Sequence, residues 1–292
     1  MSKNYGLNIE LELQQQTIDD WEFGAASQPC IALIPKNERA GFMPYGEVQR
    51  SDIDDMMDCA SRAPINILEA KFTWLVRRGG ISPENIKWLA DNGYLKNRGS
   101  EISVEFSDAF IAINSGTTRS GNSLKAPLEA IRTQGLIPKS MLPLERTMTW
   151  EQYHDPKRIT KKMIALGKEF ASKNAGRFII NYDRVFEPNY GQVLEDDMID
   201  VAGYAWPVPK DGEYPRVDAR PNHAFAALNV PRYFIFDNYI DSVDKDFVKK
   251  LADNYDLLDY GYRIFLRENA PPGQRSLWGW IKNFFKALFL IQ

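Results

Sequence analysis

Cys59-Ala60-Ser61-Arg62-Ala63-Pro64-Ile65-Asn66-Ile67-Leu68-Glu69 opens the stretch on which the reading of this chain turns. Continuing to Arg78, the apolar residues Ala63, Ile67, Ala70, Trp74 and Leu75 recur at helical spacing, while Glu69, Lys71 and Arg77 fall elsewhere. That pattern predicts an amphipathic helix from Cys59 to Arg78. Pro64 removes one backbone bond from it and predicts a kink in the first turns. A thiol at the start of such a helix lies in the field of unsatisfied N–H groups and of the helix dipole, which favours thiolate. Asp52, Asp54, Asp55 and Asp58 crowd the approach, and their charge works the other way.

Working outward, the first 50 residues read as extended and loop-rich. Ser82-Pro83-Glu84 caps a short helix that Asn92-Gly93 ends. Ser107 to Ile113 and Ala126 to Arg132 read as helical, separated by a loop that contains Gly121-Asn122. Thr149 to Lys173 reads as a charged helical region. After Gly176 the pattern changes to strand-like runs at 177–182, 199–206, 223–228, 233–236 and 260–266. Helices first and strands later predict an α+β fold with two lobes, not alternating βαβ units. The expected division is an extended segment over 1–50, a domain over 51–268 with a helical lobe to about 175 and an antiparallel β lobe from about 176, a linker over 269–276 and a tail helix over 277–292.

Composition narrows the function classes. The chain has 292 residues, 44% hydrophobic and 26% charged, with a net charge of -3. Such a balance supports a globular core and offers no basic field for nucleic acid. Two cysteines and two histidines form neither a disulfide framework nor a metal-ligand set, so no metal and no cofactor are expected. The start lacks the apolar run of a signal peptide, and no stretch reaches the roughly 20 apolar residues needed to span a bilayer.

The scarce residues are suggestively ordered. His223 opens the run Asn222-His223-Ala224-Phe225-Ala226-Ala227-Leu228, and the next run, Tyr233-Phe234-Ile235-Phe236, ends on Asp237-Asn238. Neighbouring antiparallel strands would set His223 beside Asp237, an acceptor able to hold one imidazole tautomer and stabilise the imidazolium. Asn238 is adjacent, and because a strand alternates faces only one of the two can serve. His154 lies in a polar helix-start context and reads as exposed; Cys30 reads as structural.

In these features the chain resembles papain-like cysteine peptidases, and more narrowly the divergent members encoded by phages and prophages. That family has a Gln before the nucleophilic Cys, a Glu ten positions after it, a His-Ala pair opening a strand and an Asn ending the next. Here stand Gln49, Cys59, Glu69, His223-Ala224 and Asp237-Asn238-Tyr239, with Met43-Pro44-Tyr45-Gly46-Glu47-Val48-Gln49 similar to the lead into the site of the phage-type members. The resemblance implies Cys59 as nucleophile, His223 as general base and then acid, Asp237 as orienter, and the Gln49 amide with the Cys59 backbone N–H as oxyanion hole. It implies that Gly121 and Asn122 meet an extended substrate backbone. Departures are Ala60 in place of the usual Trp, acidic residues in place of a glycine-rich turn, and a longer spacing from Gln49 to Cys59.

The tail Leu277-Trp278-Gly279-Trp280-Ile281-Lys282-Asn283-Phe284-Phe285-Lys286-Ala287-Leu288-Phe289-Leu290-Ile291 follows Pro271-Pro272-Gly273 and reads as an amphipathic helix that docks on a membrane surface, on a virion protein or on its own domain. The sequence thus predicts a thiol hydrolase acting on a peptide or protein substrate, virion-associated or produced by a phage in the host cytoplasm. The alternative is a catalytically silent assembly protein of a phage particle that keeps the same fold.

Overall fold

The protein is described by a computed structural model over residues 6–15, 33–45, 48–172, 176–205, 208–217, 219–229, 233–240 and 246–269. The expected tail helix, all of the linker but Asn269, and Cys30 lie outside the described residues. In chain order the elements are α1 (Ile9–Gln15), α2 (Arg39–Phe42), α3 (Cys59–Arg78), α4 (Pro83–Asp91), β1 (Leu95–Arg98), β2 (Glu101–Val104), α5 (Asp108–Asn114), α6 (Lys125–Gln134), α7 (Trp150–Tyr153), α8 (Lys161–Phe170), β3 (Phe178–Phe186), α9 (Tyr190–Asp196), β4 (Ile199–Gly203), β5 (His223–Asn229), β6 (Phe234–Phe236), β7 (Val248–Lys250) and β8 (Tyr260–Glu268). The α+β class holds, with helices dominating the first part and an antiparallel sheet of order β3-β8-β4-β5-β6-β7 the second.

Helix α3 is the central element, lying against β5, β2, β4, α5 and α6. The expected amphipathic helix is instead buried nearly all round: from Cys59 to Thr73 every side chain is buried, Arg62, Glu69 and Lys71 included. The sheet covers one side and the β1–β2 hairpin and α5–α6 the other, so no solvated face remains for these charges. Each is matched by a partner, as a buried charge must be. Lys71 Nζ meets Asp197 Oδ1 at 2.7 Å and donates to the Ile264 carbonyl at 2.7 Å. Arg263 reaches the same Asp197 at 3.1 Å. Glu69 accepts the Phe106 N–H at 2.5 Å, fixing the passage from β2 to α5. The helix runs without interruption through Pro64.

The sheet separates two apolar layers. Ala224, Ala226 and Leu228 of β5 join the layer shared with α3, and Phe225 and Ala227 join the layer beneath α9. This two-sided burial explains why the 223–228 run is apolar without alternation. Each large apolar side chain so buried contributes about 1.5–3 kcal/mol.

Two local expectations are corrected. The region from Thr149 to Lys173 is not one helical stretch. It breaks into α7, a 3-10 turn at Pro156–Arg158 and α8, because Thr149, Asp155 and Thr160 each cap a new start with their own side chains. The hairpin β1–β2, which the periodicity did not announce, turns at Gly99 with φ +63°. Among the described residues no helix is long and apolar enough to cross a membrane.

Candidate active site

Cys59 is the first residue of α3, and its side chain is almost wholly buried. The residue before it, Asp58, does not cap the helix with its carboxylate. That carboxylate takes the Arg62 guanidinium at 2.8 Å and the Tyr153 hydroxyl at 2.6 Å, and Arg62 also meets Asp108 at 2.9 Å. The other acids of the approach are likewise engaged. Asp52 meets Arg146 at 2.5 Å. Asp54 accepts the Trp150 N–H at 2.9 Å, and Asp55 accepts both the Met57 N–H and the Gln49 side-chain amide at 2.9 Å. The expectation that four carboxylates load the thiol is therefore corrected: only Asp58 raises it, as the smallest of the named causes.

The long spacing from Gln49 to Cys59 has a geometric explanation. Residues 50–55 form an excursion that closes on itself through an Arg50–Asp55 bridge and a Ser51 hydroxyl taking the Ile53 and Asp54 N–H groups. Beyond it Met56 donates its N–H to the Gln49 carbonyl at 3.3 Å. Gln49 is fully buried, and its own N–H donates to the Asn238 carbonyl at 3.1 Å. It therefore spans from the approach of Cys59 to the strand end that carries Asp237. Met57, two residues before Cys59, has φ +55°, a left-handed conformation that a non-glycine residue adopts at a cost. His154 props this loop: its Nε2 bonds the Met56 carbonyl at 2.8 Å, its ring lies 4.3 Å from that of Trp150, and it is buried, not exposed as the sequence suggested. The polar neighbours in sequence point to solvent, whereas the imidazole turns inward across a gap of 98 residues.

Across from Cys59, β5 begins at His223, and β6 pairs with β5 so that Ala226 faces Phe236. Asp237 follows directly. Its Oδ1 meets His223 Nε2 at 2.6 Å and accepts the Tyr239 N–H at 3.1 Å. Asn238 turns away and takes the Asn66 side-chain amide of α3, so alternation gives the imidazole to Asp237. The His223 ring lies close enough to Cys59 for each to act on the other's charge, and the Ala224 N–H reaches Cys59 Sγ at 3.4 Å. With Nε2 held by Asp237, Nδ1 is the ring nitrogen left for the thiol.

Sequence reasoning missed Lys249 of β7. Its buried ammonium lies 3.3 Å from Asp237 Oδ2 and donates to the Tyr239 and Asp246 carbonyls. A lysine in a short, charged segment carries no signal of burial, which arises only when β7 pairs with β6.

The electrostatics follow from this packing. Burial pushes the Cys59 thiol above its ordinary value, against the pull of His223 and of the Ala224 N–H. Burial alone would lower His223, but Asp237 and then Cys59 outweigh it and hold the imidazole well above its usual range. Asp237, opposed by burial, is kept low by His223 and Lys249. The arrangement is a buried thiol, an imidazole disposed to carry charge and a carboxylate that stays ionised.

No protein-family model matches the chain, and no curated protein matches it in sequence. Solved structures do. Procathepsin B S9 from Trypanosoma congolense overlaps 91% of this chain and 87% of its own length, with a TM-score of 0.52 and 10% identity. The chain has a papain-like fold. Xylellain, a cysteine protease from Xylella fastidiosa, covers 92% of this chain and 96% of its own at a TM-score of 0.49 and 15% identity.

Proposed function

We propose that the chain is a papain-like thiol hydrolase that cleaves a peptide or related amide bond, with Cys59 as nucleophile, His223 as base and acid, and Asp237 as orienter. The observation that carries the reading is the line of contacts from Cys59 to His223 to Asp237, the last at 2.6 Å. A thiol hydrolase needs these three groups in this order. Asp237 fixes the tautomer through Nε2 and keeps the imidazolium favourable. Nδ1 takes the thiol proton, and the thiolate attacks the carbonyl carbon. The developing oxyanion is met by the Cys59 N–H, unsatisfied at the start of α3, and by the Gln49 amide, which Asp55 steadies. His223 then returns the proton to the leaving amine, giving an acyl-enzyme. Water, deprotonated by the same ring, attacks the thioester, releases the acid and restores the thiol.

On the phage-type resemblance, the substrates are cell-wall peptides or a virion precursor protein. The second reading, a silent assembly protein with the same fold, is favoured by the near-complete burial of Cys59 and His223. Alkylation of the full chain at pH 6, followed by peptide mass mapping, separates the two. If His223 activates the thiol, its pull on Cys59 is lost in His223→Ala, and Cys59 labels at least tenfold faster in the parent than in that variant. The ratio cancels any occlusion common to both proteins. Equal rates would sink the catalytic reading.

A further inference from the structure

Strand β7 runs antiparallel to β6 with Lys249 opposite Ile235, and the Asp237 N–H donates to the Phe247 carbonyl at 2.9 Å. The strand end that carries Asp237 is thereby stitched to the strand that carries Lys249. Successive residues of a strand face opposite sides: Val248 is exposed and Lys249 is buried. The Lys249 ammonium donates to the Tyr239 carbonyl at 3.0 Å and the Asp246 carbonyl at 2.8 Å, and stands 3.3 Å from Asp237 Oδ2. These contacts match in number the three N–H groups of an ammonium. Asp237 Oδ1 meanwhile takes His223 Nε2 at 2.6 Å and the Tyr239 N–H at 3.1 Å. The two oxygens are not interchangeable, and the carboxylate cannot turn without breaking one set of contacts.

Once the thiol has passed its proton to the ring, the groups alternate in sign: Cys59 thiolate, His223 imidazolium, Asp237 carboxylate, Lys249 ammonium. All four side chains are buried, and the row sums to zero. Without Lys249 it would carry one uncompensated negative charge away from water, which is costly. The neighbouring groups do not replace the lysine. Asp58, beside Cys59, is held by Arg62 and Tyr153. The Tyr239 ring lies 6.1 Å from that of His223. Burial and then Asp237 push the Tyr255 hydroxyl up, so it stays neutral. Asp246 gives the ammonium its carbonyl and is itself exposed.

We infer, on the reading of His223 as base and acid, that Lys249 is a positioning residue acting through Asp237. It fixes the rotation of the carboxylate and draws off part of its charge, so that the imidazole can release a proton as well as hold one. Both directions are needed: the ring gives a proton to the leaving amine and later takes one from water. A lone buried carboxylate at 2.6 Å would bind the imidazolium proton too firmly for the first of these steps. With an ammonium on its far oxygen the carboxylate presents a dipole to the ring in place of a full charge. Lys249 touches neither thiol nor substrate in this scheme. Its effect on the reaction passes through the oxygen that faces His223.

The test follows the His223 ring C–H resonances of the full chain against pH, assigned with His223→Ala and referenced to His154. Lys249→Gln removes the charge and keeps a donor, and His223 should then titrate about one pH unit higher than in the parent. Asp237→Asn and Asp237→Asn with Lys249→Met form the second comparison, which holds even if Lys249→Gln loses its cooperative thermal transition. The double variant leaves no unpaired charge, so its thermal midpoint should lie above that of Asp237→Asn. Its His223 should titrate higher by a similar shift. A lysine that only clamped the Tyr239 and Asp246 carbonyls would leave both titrations unmoved and make the thermal losses additive. An unmoved His223 titration in folded Lys249→Gln, or equal titrations in the second pair, would overturn the assignment. Alkylation of Cys59 at pH 6 keeps the two claims apart. Equal rates in the parent and His223→Ala remove the catalytic reading while a shifted titration still ties Lys249 to the ring; a tenfold ratio with an unmoved titration does the reverse.

Discussion

Asp237→Asn removes the charge behind His223 and keeps the shape. At the 2.6 Å separation of Nε2 and Oδ1, Coulomb's law with an effective dielectric of about 20 gives about 6 kcal/mol of attraction. Burial of both groups opposes it, and the variant also leaves the Lys249 ammonium without the carboxylate 3.3 Å away. Breaking a buried pair in this way costs about 3–5 kcal/mol, which is the loss expected in urea unfolding near pH 6. The sign with pH is set by both partners. His223 is raised, so its contribution is complete below about pH 6.5, the unfolded value, and is lost as pH rises through the folded one. Asp237 is lowered, so its contribution holds above about pH 3.9 and is lost as pH falls through the folded value. The gap between parent and variant should therefore be flat between about pH 4 and 6.5 and close on either side. The chain has two histidines, so ring C–H resonances give the charge state directly. In the parent one ring, His223, titrates well above the usual histidine range, and in Asp237→Asn it titrates lower. His154, which burial holds low, is the unaffected reference. A His223 titration identical in both proteins, or an unfolding difference under about 1 kcal/mol, would refute the assignment of the pair.

Asp183 of β3 offers a second pH test. Burial raises its carboxyl to about 7, so its contribution is present below about pH 4 and is lost as pH climbs toward 7, a change of about 4 kcal/mol. Asp183→Asn should flatten the parent's decline between pH 4.5 and 7.5 in urea unfolding; parallel curves would contradict it. Met57→Gly should relieve the left-handed backbone ahead of Cys59 and stabilise the protein by up to about 1 kcal/mol. Calorimetry showing a comparable loss instead would mean that the Met57 side chain outweighs the strain.

How far the sequence reaches is clearest at particular residues. The 59–78 helix and the 223–229 strand are legible because periodicity is a local property, and the thiol, imidazole and carboxylate stand out because cysteine and histidine are so rare here. Which of Asp237 and Asn238 serves the imidazole was open in sequence; the exit geometry of β6 gives it to Asp237. Gln49 stood too far upstream for its place to be read, and the closed excursion at 50–55 accounts for the distance.

By itself, then, the sequence determined an α+β chain with a helix-start cysteine, a strand-start histidine and the order thiol, imidazole, carboxylate, since hydrogen-bonding period, capping and turn chemistry act between near neighbours. Burial was decided only by the tertiary structure. The charges of α3 lie inside because a sheet and a hairpin close on both its sides, His154 turns inward to a carbonyl 98 residues away, and Lys249 is buried by strand pairing. Gly6 comes to rest against Cys59 because two glycines, far apart in the chain, leave room for their backbones to touch. Such contacts join segments whose separation no local pattern encodes.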